Sequence, residues 1–586
     1  MGLLGKVFGG NNAKSDEAGI NETTYEGRRE SNGTTSSYSE NDEGVAANKA
    51  VEFEETAISA DDSSDTDSIK TLTGGPPNPF LDTNFATYYR DVYERTKYEC
   101  RARFDPYFKW SQKEEDKLRR KLDFRVTFLA CFMFVALQVD RSNLGQAVSD
   151  NMLEDLNMTT ANYNTGNTIF YLCFLSAELP SQLVSKRLGA DVWIPIQMMS
   201  WSIVALAQVG LKDKHGFYAC RALLGFLEGG FIPDLVLWLS YFYTGSELAV
   251  RLSFFWTTLS LTQIFTSLLA FGILHMRGIN GLPGWAWLFL IEGLFTFCIG
   301  VCAWFLMVPS AVQTKKRWNP KGWFTEHEEK IIVNKILRDD PTKGDMNNRQ
   351  GITIFMLYEA IKDYHLWPVY IIGIFAYIPT GVLTAYLTLV LKSMGFSTFN
   401  ANLLTIPYNV IHIFLLLGIT KFSEIVNERS LVCLFQPLYT LPLMGLLRWW
   451  KGSMVEKWPT WVIATLILGN PYIHAICVGW CSRNARSIKT RTVSASLYNM
   501  FVQAGSIIAS NIYKPSDKPL YHKGNTVLFG LAAAMFPILL LTKAFYVFIN
   551  RRREKKWQAL TEEEKEDYIK NTTDEGSFRL DFRFAT

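Results

Sequence analysis

The sequence predicts an all-α membrane protein with twelve transmembrane helices in two bundles of six. The 586 residues are 48% hydrophobic, and the apolar residues concentrate in runs of roughly 20, the length that spans a bilayer. Most runs are apolar all round, whereas a helix of a soluble protein has an apolar stripe on one side. They also lack the alternation of a barrel strand. Six runs precede the polar segment 309–365 and six follow it, which indicates a transporter with its site between two halves.

The twelve runs set the domain organisation. They are predicted at 125–146, 165–184, 192–211, 217–239, 252–274, 286–308, 366–388, 401–420, 430–448, 459–480, 492–512 and 526–549. The residues before the first bundle are predicted to form a disordered tail at 1–80 and an amphipathic segment at 81–123. A central loop with a surface helix is predicted at 309–365, and a C-terminal tail at 550–586. The two bundles occupy 124–308 and 366–549. The first tail is rich in small polar and acidic residues, a composition that buries too little apolar surface to fold.

The distribution of basic residues predicts the topology. Lys and Arg cluster at 109–125, 309–365 and 551–556, and the loop at 147–164 has none. Because basic segments stay on the cytoplasmic side, both termini and the central loop are predicted to be cytoplasmic. The expected location is the plasma membrane. Asn157 begins a glycosylation sequon on the loop that this topology places outside.

Charged residues inside two of the runs predict the chemistry. Glu228 follows Arg221 by seven residues, two helical turns, so the two share a helix face about 10 Å apart. An earlier run contains the neighbours Asp140 and Arg141. A charge at bilayer depth is costly and is usually functional. We therefore expect Asp140 and Glu228 to bind protons and Arg141 and Arg221 to bind an anion; the alternative is a charge network that only fixes helix packing.

Other polar residues in the runs suggest further contacts. The C-terminal half has almost no fixed charge in its runs, but Tyr377 and His474 can form hydrogen bonds to a substrate. A membrane histidine is more often a packing residue, so both interpretations of His474 stay open. Glu247 and Arg251 lie one helical turn apart near the inner side, where they suit a gate or a helix cap.

The motifs of several other function classes are missing from the sequence. It contains no phosphate-binding Walker loop, metal-binding cluster or nucleophile elbow. We therefore expect no enzymatic activity, cofactor or metal. The predicted partners are a small anion, protons and the lipid bilayer, without nucleic acid, and the chain is expected to be monomeric.

Several segments resemble the fungal allantoate permease family, the anion:cation symporter branch of the major facilitator superfamily. They are "VDRSNLGQA", "RALLGFLEGGFIPD", "YFYTGSELAVRLSFF", "GWAWLFLIEG", "MGFSTFNANLLTIPYNV" and "DKPLYHKGN". The resemblance is closest to the yeast sulfonate and inorganic sulfate transporter subgroup, through "AVSDNM", "LRDDPTKGDMNNRQ" and the terminal "RLDFRF". Two positions depart from the family pattern: Ala286 stands where the family often has Arg, and Asp234 where it usually has Gly.

The resemblance implies a proton-coupled symporter that imports a small anion by alternating access, with sulfonate or sulfate favoured. It implies that the first, fourth, seventh and tenth helices line the cavity. It adds Asn499 to the expected substrate contacts and supports the roles given to the acids and arginines above. Uptake of carboxylates such as allantoate, nicotinate or pantothenate remains an alternative. So does a nutrient sensor that signals through its N-terminal tail, and drug efflux is a minor third possibility.

Overall fold

The computed structural model describes residues 76, 78–317, 319–344, 358, 360–485, 488–572 and 576–586. Most of the tail predicted at 1–80 lies outside these residues. Its last residues are packed, however, because Phe80 is buried with its ring 5.0 Å from that of Phe104. The packed part of the chain therefore begins before residue 81.

The N-terminal half consists of six long helices. Each coincides with a predicted run, and the helices are α1 Phe128–Ser149, α2 Thr160–Leu188, α3 Ala190–Ala207, α4 Lys214–Ser240, α5 Gly245–Ile273 and α6 Gly284–Leu306. Helix α4 is interrupted at Gly229 and Gly230, and Gly230 takes a positive φ of 83°, a conformation that favours glycine. Asn157 is exposed in the turn between α1 and α2.

The C-terminal half has six further helical segments. They are α7 Trp367–Ser393, α8 Thr398–Val426, α9 Ser430–Trp449, α10 Lys457–Leu468 with His474–Asn484, α11 Ile488–Ala509 and α12 His522–Gln558. Helix α7 is broken between Phe375 and Ile378. Helix α10 is broken at 469–473, where Pro471 cannot donate a backbone hydrogen bond. At these breaks, backbone N–H and C=O groups next to the space between the halves lack their helical hydrogen bonds. Such groups are tolerated within a bilayer only where protein or a cavity surrounds them.

Nine helices, counted over the described residues, are long and apolar enough to cross a membrane. The other three spanning segments are α2, α10 and α11. The first half of α2 is polar, α10 is split into two short pieces, and α11 begins with the basic residues of "IKTRT". Together, α1 to α12 make twelve spanning segments. Because this number is even, the first and last segments have their outer ends on the same side. We call the side where α1 begins and α12 ends the terminal side.

A folded layer covers the N-terminal half on the terminal side. It consists of helices Thr83–Arg95 and Gln112–Leu122 together with Glu326–Asp339 of the central loop. The last helix is the surface helix expected in the central loop, and it begins with a capping box in which Thr325 and Glu328 satisfy each other's backbone N–H groups. Lys121 binds the Glu328 carboxylate at 2.7 Å. Partial burial favours the neutral form of Glu328, but the hydrogen bonds from Lys121 and Thr325 lower its pKa below the ordinary value.

Glu247 and Arg251 connect α5 to this layer. Glu247 completes the capping box of α5 with Thr244, and its carboxylate accepts a hydrogen bond from Lys335 at 2.5 Å. Arg251 binds both carboxylate oxygens of Asp123 at 2.9 Å. These contacts join α5 to the layer, and Glu247 acts as a helix cap; a gating role for the two residues stays a prediction.

The last eleven residues, 576–586, are docked on the terminal side of the C-terminal half. Asn484 is fully buried and pairs through both side-chain atoms with the backbone of Ala585, at 2.9 and 3.1 Å. Asn550 of α12 forms the same paired contact with Phe584. The Phe584 ring stacks on His365, with centroids 4.8 Å apart. This segment thus joins α10, α12 and the chain before α7.

We expect Asn484→Ala to release the docked segment. The substitution leaves the Ala585 N–H without its partner, and one net hydrogen bond of this kind contributes about 1 kcal/mol. Hydrogen exchange of residues 576–586 should therefore accelerate by about fivefold to tenfold. Gln558→Ala on the exposed end of α12 is the matched control, since that side chain pairs only locally with Glu554. Unchanged exchange in Asn484→Ala would contradict the assignment.

Candidate functional site

A cavity of about 460 Å³ lies between the two halves. Its walls come from both bundles, including α1, α2, α4 and α5 on one side and α7, α8, α10 and α11 on the other. Of the described residues that line it, Arg141 and Arg221 carry a formal charge, and both belong to the N-terminal half. The wall formed by the C-terminal half is neutral. A volume of this size is in the range of sites for small organic ligands.

Glycines on α4 bring the charged residues to this wall. A methyl group added at Gly225 would meet the carbonyl oxygen of Phe170 at 2.3 Å, and one at Gly229 would meet that of Phe174 at 2.8 Å. Helices α2 and α4 therefore touch backbone to backbone, the packing that small residues allow within membranes. Arg221, on the same helix, is consequently held against the Phe170 ring of α2.

The central interaction of the site is an ion pair between α1 and α4. Arg141 Nε donates to Glu228 Oε2 at 2.7 Å, and the Glu228 side chain is 2% exposed. The sequence placed Arg221 and Glu228 on one helix face and did not indicate a partner from another helix, whereas the structure pairs Glu228 with Arg141 of α1. Arg221 instead donates to Asn167 Oδ1 at 3.2 Å and lies 4.2 Å from the centroid of the Phe170 ring.

Both guanidinium groups retain unused donors. Within the described residues, the buried atoms Arg141 Nη2 and Arg221 Nε have no hydrogen-bond partner. Buried donors without partners cost free energy. Arg141 also contacts Phe174, at 5.0 Å from the ring centroid, and both arginines approach Phe170. Two neighbouring guanidiniums with free N–H groups form a site that suits a carboxylate or another oxyanion.

Asp140 lies behind this wall. It is 3% exposed and accepts a hydrogen bond from Trp201 Nε1 of α3 at 2.9 Å. Consecutive helical residues point about 100° apart, so Arg141 faces the cavity while Asp140 faces the interior of the N-terminal bundle. Arg141 therefore lines the cavity, whereas Asp140 is not among the described lining residues; the proton-binding and anion-binding roles stay predictions.

The predicted contacts in the C-terminal half divide in the same way. Tyr377 lines the cavity at the break in α7, and its hydroxyl is 2.8 Å from that of Tyr498. His474 is 5% exposed and packs behind Tyr377 and Tyr472. Asn499 lies about one turn from Gln503, which does line the cavity. His474 and Asn499 are not among the described lining residues, because His474 follows the break in α10 and Asn499 lies one turn of α11 beyond the lining residues Val502 and Gln503.

Several wall residues are missing from the sequence-based site. Asn167, Gln263, Tyr472 and Gln503 line the cavity, together with His412. Polar side chains inside apolar runs were the available signal. The sequence did not distinguish polar residues that face the cavity from polar residues packed between helices. The direction in which a side chain points depends on the rotation of its helix, which the sequence did not predict.

Hydrogen bonds between the halves cover the cavity on the side opposite the termini. The Tyr386 hydroxyl donates to Asn164 Oδ1 at 2.5 Å, and Asn402 Nδ2 donates to Ser149 Oγ at 3.0 Å. On the other side, nearer the termini, the Trp256 ring of α5 contacts His474 of α10 with centroids 5.0 Å apart. Contacts of both halves thus lie above and below the cavity.

Comparison with known proteins gives the family. The Major Facilitator Superfamily model matches residues 130–510. The chain belongs to this superfamily. It is therefore a multi-pass membrane transporter, and the members of this family are transporters rather than enzymes. The transporter is 43% identical over 538 residues to the uncharacterized transporter YIL166C of Saccharomyces cerevisiae, covering 91% of this chain and 98% of that protein.

More distant proteins agree with the family and the fold. The major facilitator-type transporter hxnP of Emericella nidulans is 27% identical over 416 residues, covering 70% of this chain and 81% of that protein. Among solved structures, a partially occluded inward-open conformation of the xylose transporter XylE from E. coli matches with a TM-score of 0.53 and 14% identity, covering 71% of this chain and 97% of XylE. The predicted fold of two six-helix bundles is confirmed.

We expect Gly225→Ala to destabilise the transporter. The added methyl group must displace the Phe170 carbonyl, and overpacking of this kind costs about 1–3 kcal/mol. Gly418→Ala on α8 is the control, since a methyl group there meets nothing within 4 Å. Thermal unfolding of the purified proteins in detergent measures the difference. Equal midpoints for both variants would show that α2 and α4 are not in backbone contact.

Proposed function

We propose that the transporter is a proton-coupled symporter that imports a small anion by alternating access, with a sulfonate or sulfate as the favoured substrate. The proposal places it in the fungal allantoate permease family, near the sulfonate and inorganic sulfate subgroup. It also includes a plasma-membrane location with both termini in the cytoplasm. Carboxylates such as allantoate, nicotinate and pantothenate are the alternative substrates.

The observation that supports this proposal best is the charge of the cavity wall. Arg141 and Arg221 supply two positive charges and unused donors, and no acidic residue is among the described lining residues. Interactions between charges are stronger in a low-dielectric interior than in water. A cation would be repelled by this wall, whereas an oxyanion would satisfy both guanidinium groups. The wall therefore favours anion transport over export of cationic drugs.

The ion pair supplies a means of proton coupling. While Glu228 is ionised, it compensates the charge of Arg141 and accepts its Nε–H at 2.7 Å. A proton on Glu228 removes that compensation and leaves Arg141 available to the anion. By thermodynamic reciprocity, bound anion then favours protonation of Glu228 to the same degree. When the anion leaves, Arg141 returns to Glu228 and the proton is released.

We expect Glu228→Gln to uncouple transport from the proton gradient. Glutamine keeps the shape and an acceptor for Arg141 but cannot take up a proton. In proteoliposomes, the variant should still exchange labelled anion across the membrane, but an inwardly directed pH gradient should no longer drive accumulation. A panel of sulfate, methanesulfonate, allantoate, nicotinate and pantothenate identifies the substrate in the same assay.

Glu154→Gln, an exposed acid in the turn after α1, is the matched control and should accumulate anion like the unmodified protein. Continued pH-driven accumulation by Glu228→Gln would refute the coupling role. Absence of transport for every anion, combined with signalling that survives in cells, would instead favour a nutrient sensor.

A further inference from the structure

The neutral wall of the cavity carries a cluster of rings. Tyr377, His412 and Tyr472 line the cavity from α7, α8 and the break in α10, and we call them the aromatic wall. The Tyr472 ring lies between the other two, with centroids 5.3 Å from Tyr377 and 5.0 Å from His412. Three helices thus bring ring faces or edges to one region of the cavity.

A second set of rings holds the aromatic wall in place. His474 stacks on Tyr472 with centroids 5.6 Å apart and an interplanar angle of 22°. Trp256 supports His474 from the N-terminal half, and Tyr498 bonds the Tyr377 hydroxyl. Side chains restrained in this way lose little conformational entropy when a ligand binds, so the wall is preorganised.

The aromatic wall is unsuited to the charged part of an anion. Ring faces carry partial negative charge, and none of the described C-terminal lining residues is Lys or Arg. The acid group therefore belongs at Arg141 and Arg221 on the other wall. A flat or apolar group, by contrast, gains both burial and stacking against Tyr472. A cavity of about 460 Å³ also exceeds what an inorganic oxyanion would fill.

We propose that the aromatic wall binds the uncharged body of the substrate, which makes the substrate an organic anion rather than inorganic sulfate. Its sulfonate or carboxylate group pairs with Arg141 and Arg221, and its planar or apolar body packs on Tyr472 and Tyr377. The inference rests on the proposed function, because it assumes that the arginines bind an anion. It adds the chemical class of the rest of the molecule.

Equilibrium binding to the purified full-length transporter tests this with three probes that share an anionic group. Benzenesulfonate should bind at least about tenfold tighter than methanesulfonate, because one ring is buried and stacked. Sulfate should bind no tighter than methanesulfonate. The comparison uses unmodified protein, so the outcome does not depend on whether a variant folds. Equal affinities for all three anions would overturn the proposal.

Variants locate the effect. Tyr472→Leu should reduce the affinity for benzenesulfonate to near that for methanesulfonate and leave methanesulfonate binding unchanged, while Tyr472→Phe should retain the preference. Tyr439→Ala on α9, outside the cavity lining, is the control and should behave like the unmodified protein. A full preference for benzenesulfonate in Tyr472→Leu would show that the ring binds elsewhere and would overturn the assignment.

The two proposals fail in different ways. In the first case, sulfate and methanesulfonate bind as tightly as benzenesulfonate, but Arg221→Gln abolishes binding of all three anions. This result would keep the proposal of anion transport and overturn the proposal of an aromatic subsite. In the second case, Arg221→Gln binds every anion as tightly as the unmodified protein. This result would overturn the assignment of the anion to the arginines, and with it the proposed function.

Discussion

The structure depends on how charge is accommodated inside the N-terminal half. Arg141 and Glu228 lie 2.7 Å apart between α1 and α4, and separating them would leave a buried ion without compensation, which costs several kcal/mol. The glycines of α4 let α2 approach at backbone distance, which brings the Phe170 ring of α2 against Arg221. Arg221 remains as a second guanidinium whose partners are a neutral amide and a phenyl ring.

The two halves contribute different chemistry to one cavity. The N-terminal wall carries the charge, and the C-terminal wall carries hydroxyl, amide and aromatic groups. Alternating access requires that the halves move relative to each other around a bound substrate. Contacts across the interface, such as Tyr386 to Asn164 and Trp256 to His474, are single hydrogen bonds or ring contacts. Such contacts are weak enough to exchange, whereas the glycine contacts between α2 and α4 lie within one half and can persist.

The sequence predicted the parts of this arrangement that depend on composition. Twelve apolar runs were sufficient for the helices, since a bilayer requires about 20 apolar residues per span. Arg141, Arg221 and Glu228 were recognisable because charge within such a run is rare. Helix rotation was beyond the sequence, and so the pairing of Glu228 with Arg141 was missed. The break in α10 likewise placed Tyr472 on the wall and His474 behind it.

Position also separates the two acids that the sequence treated alike. Glu228 shares Arg141 with the cavity, so the ionised Glu228 carboxylate and a bound anion compete for one guanidinium. Asp140 accepts a hydrogen bond from neutral Trp201, away from the cavity. A proton on Asp140 would change packing between α1 and α3 without releasing a group that faces the substrate. Because coupling requires differential contact between the linked states, the proposed coupling role fits the position of Glu228 better than that of Asp140.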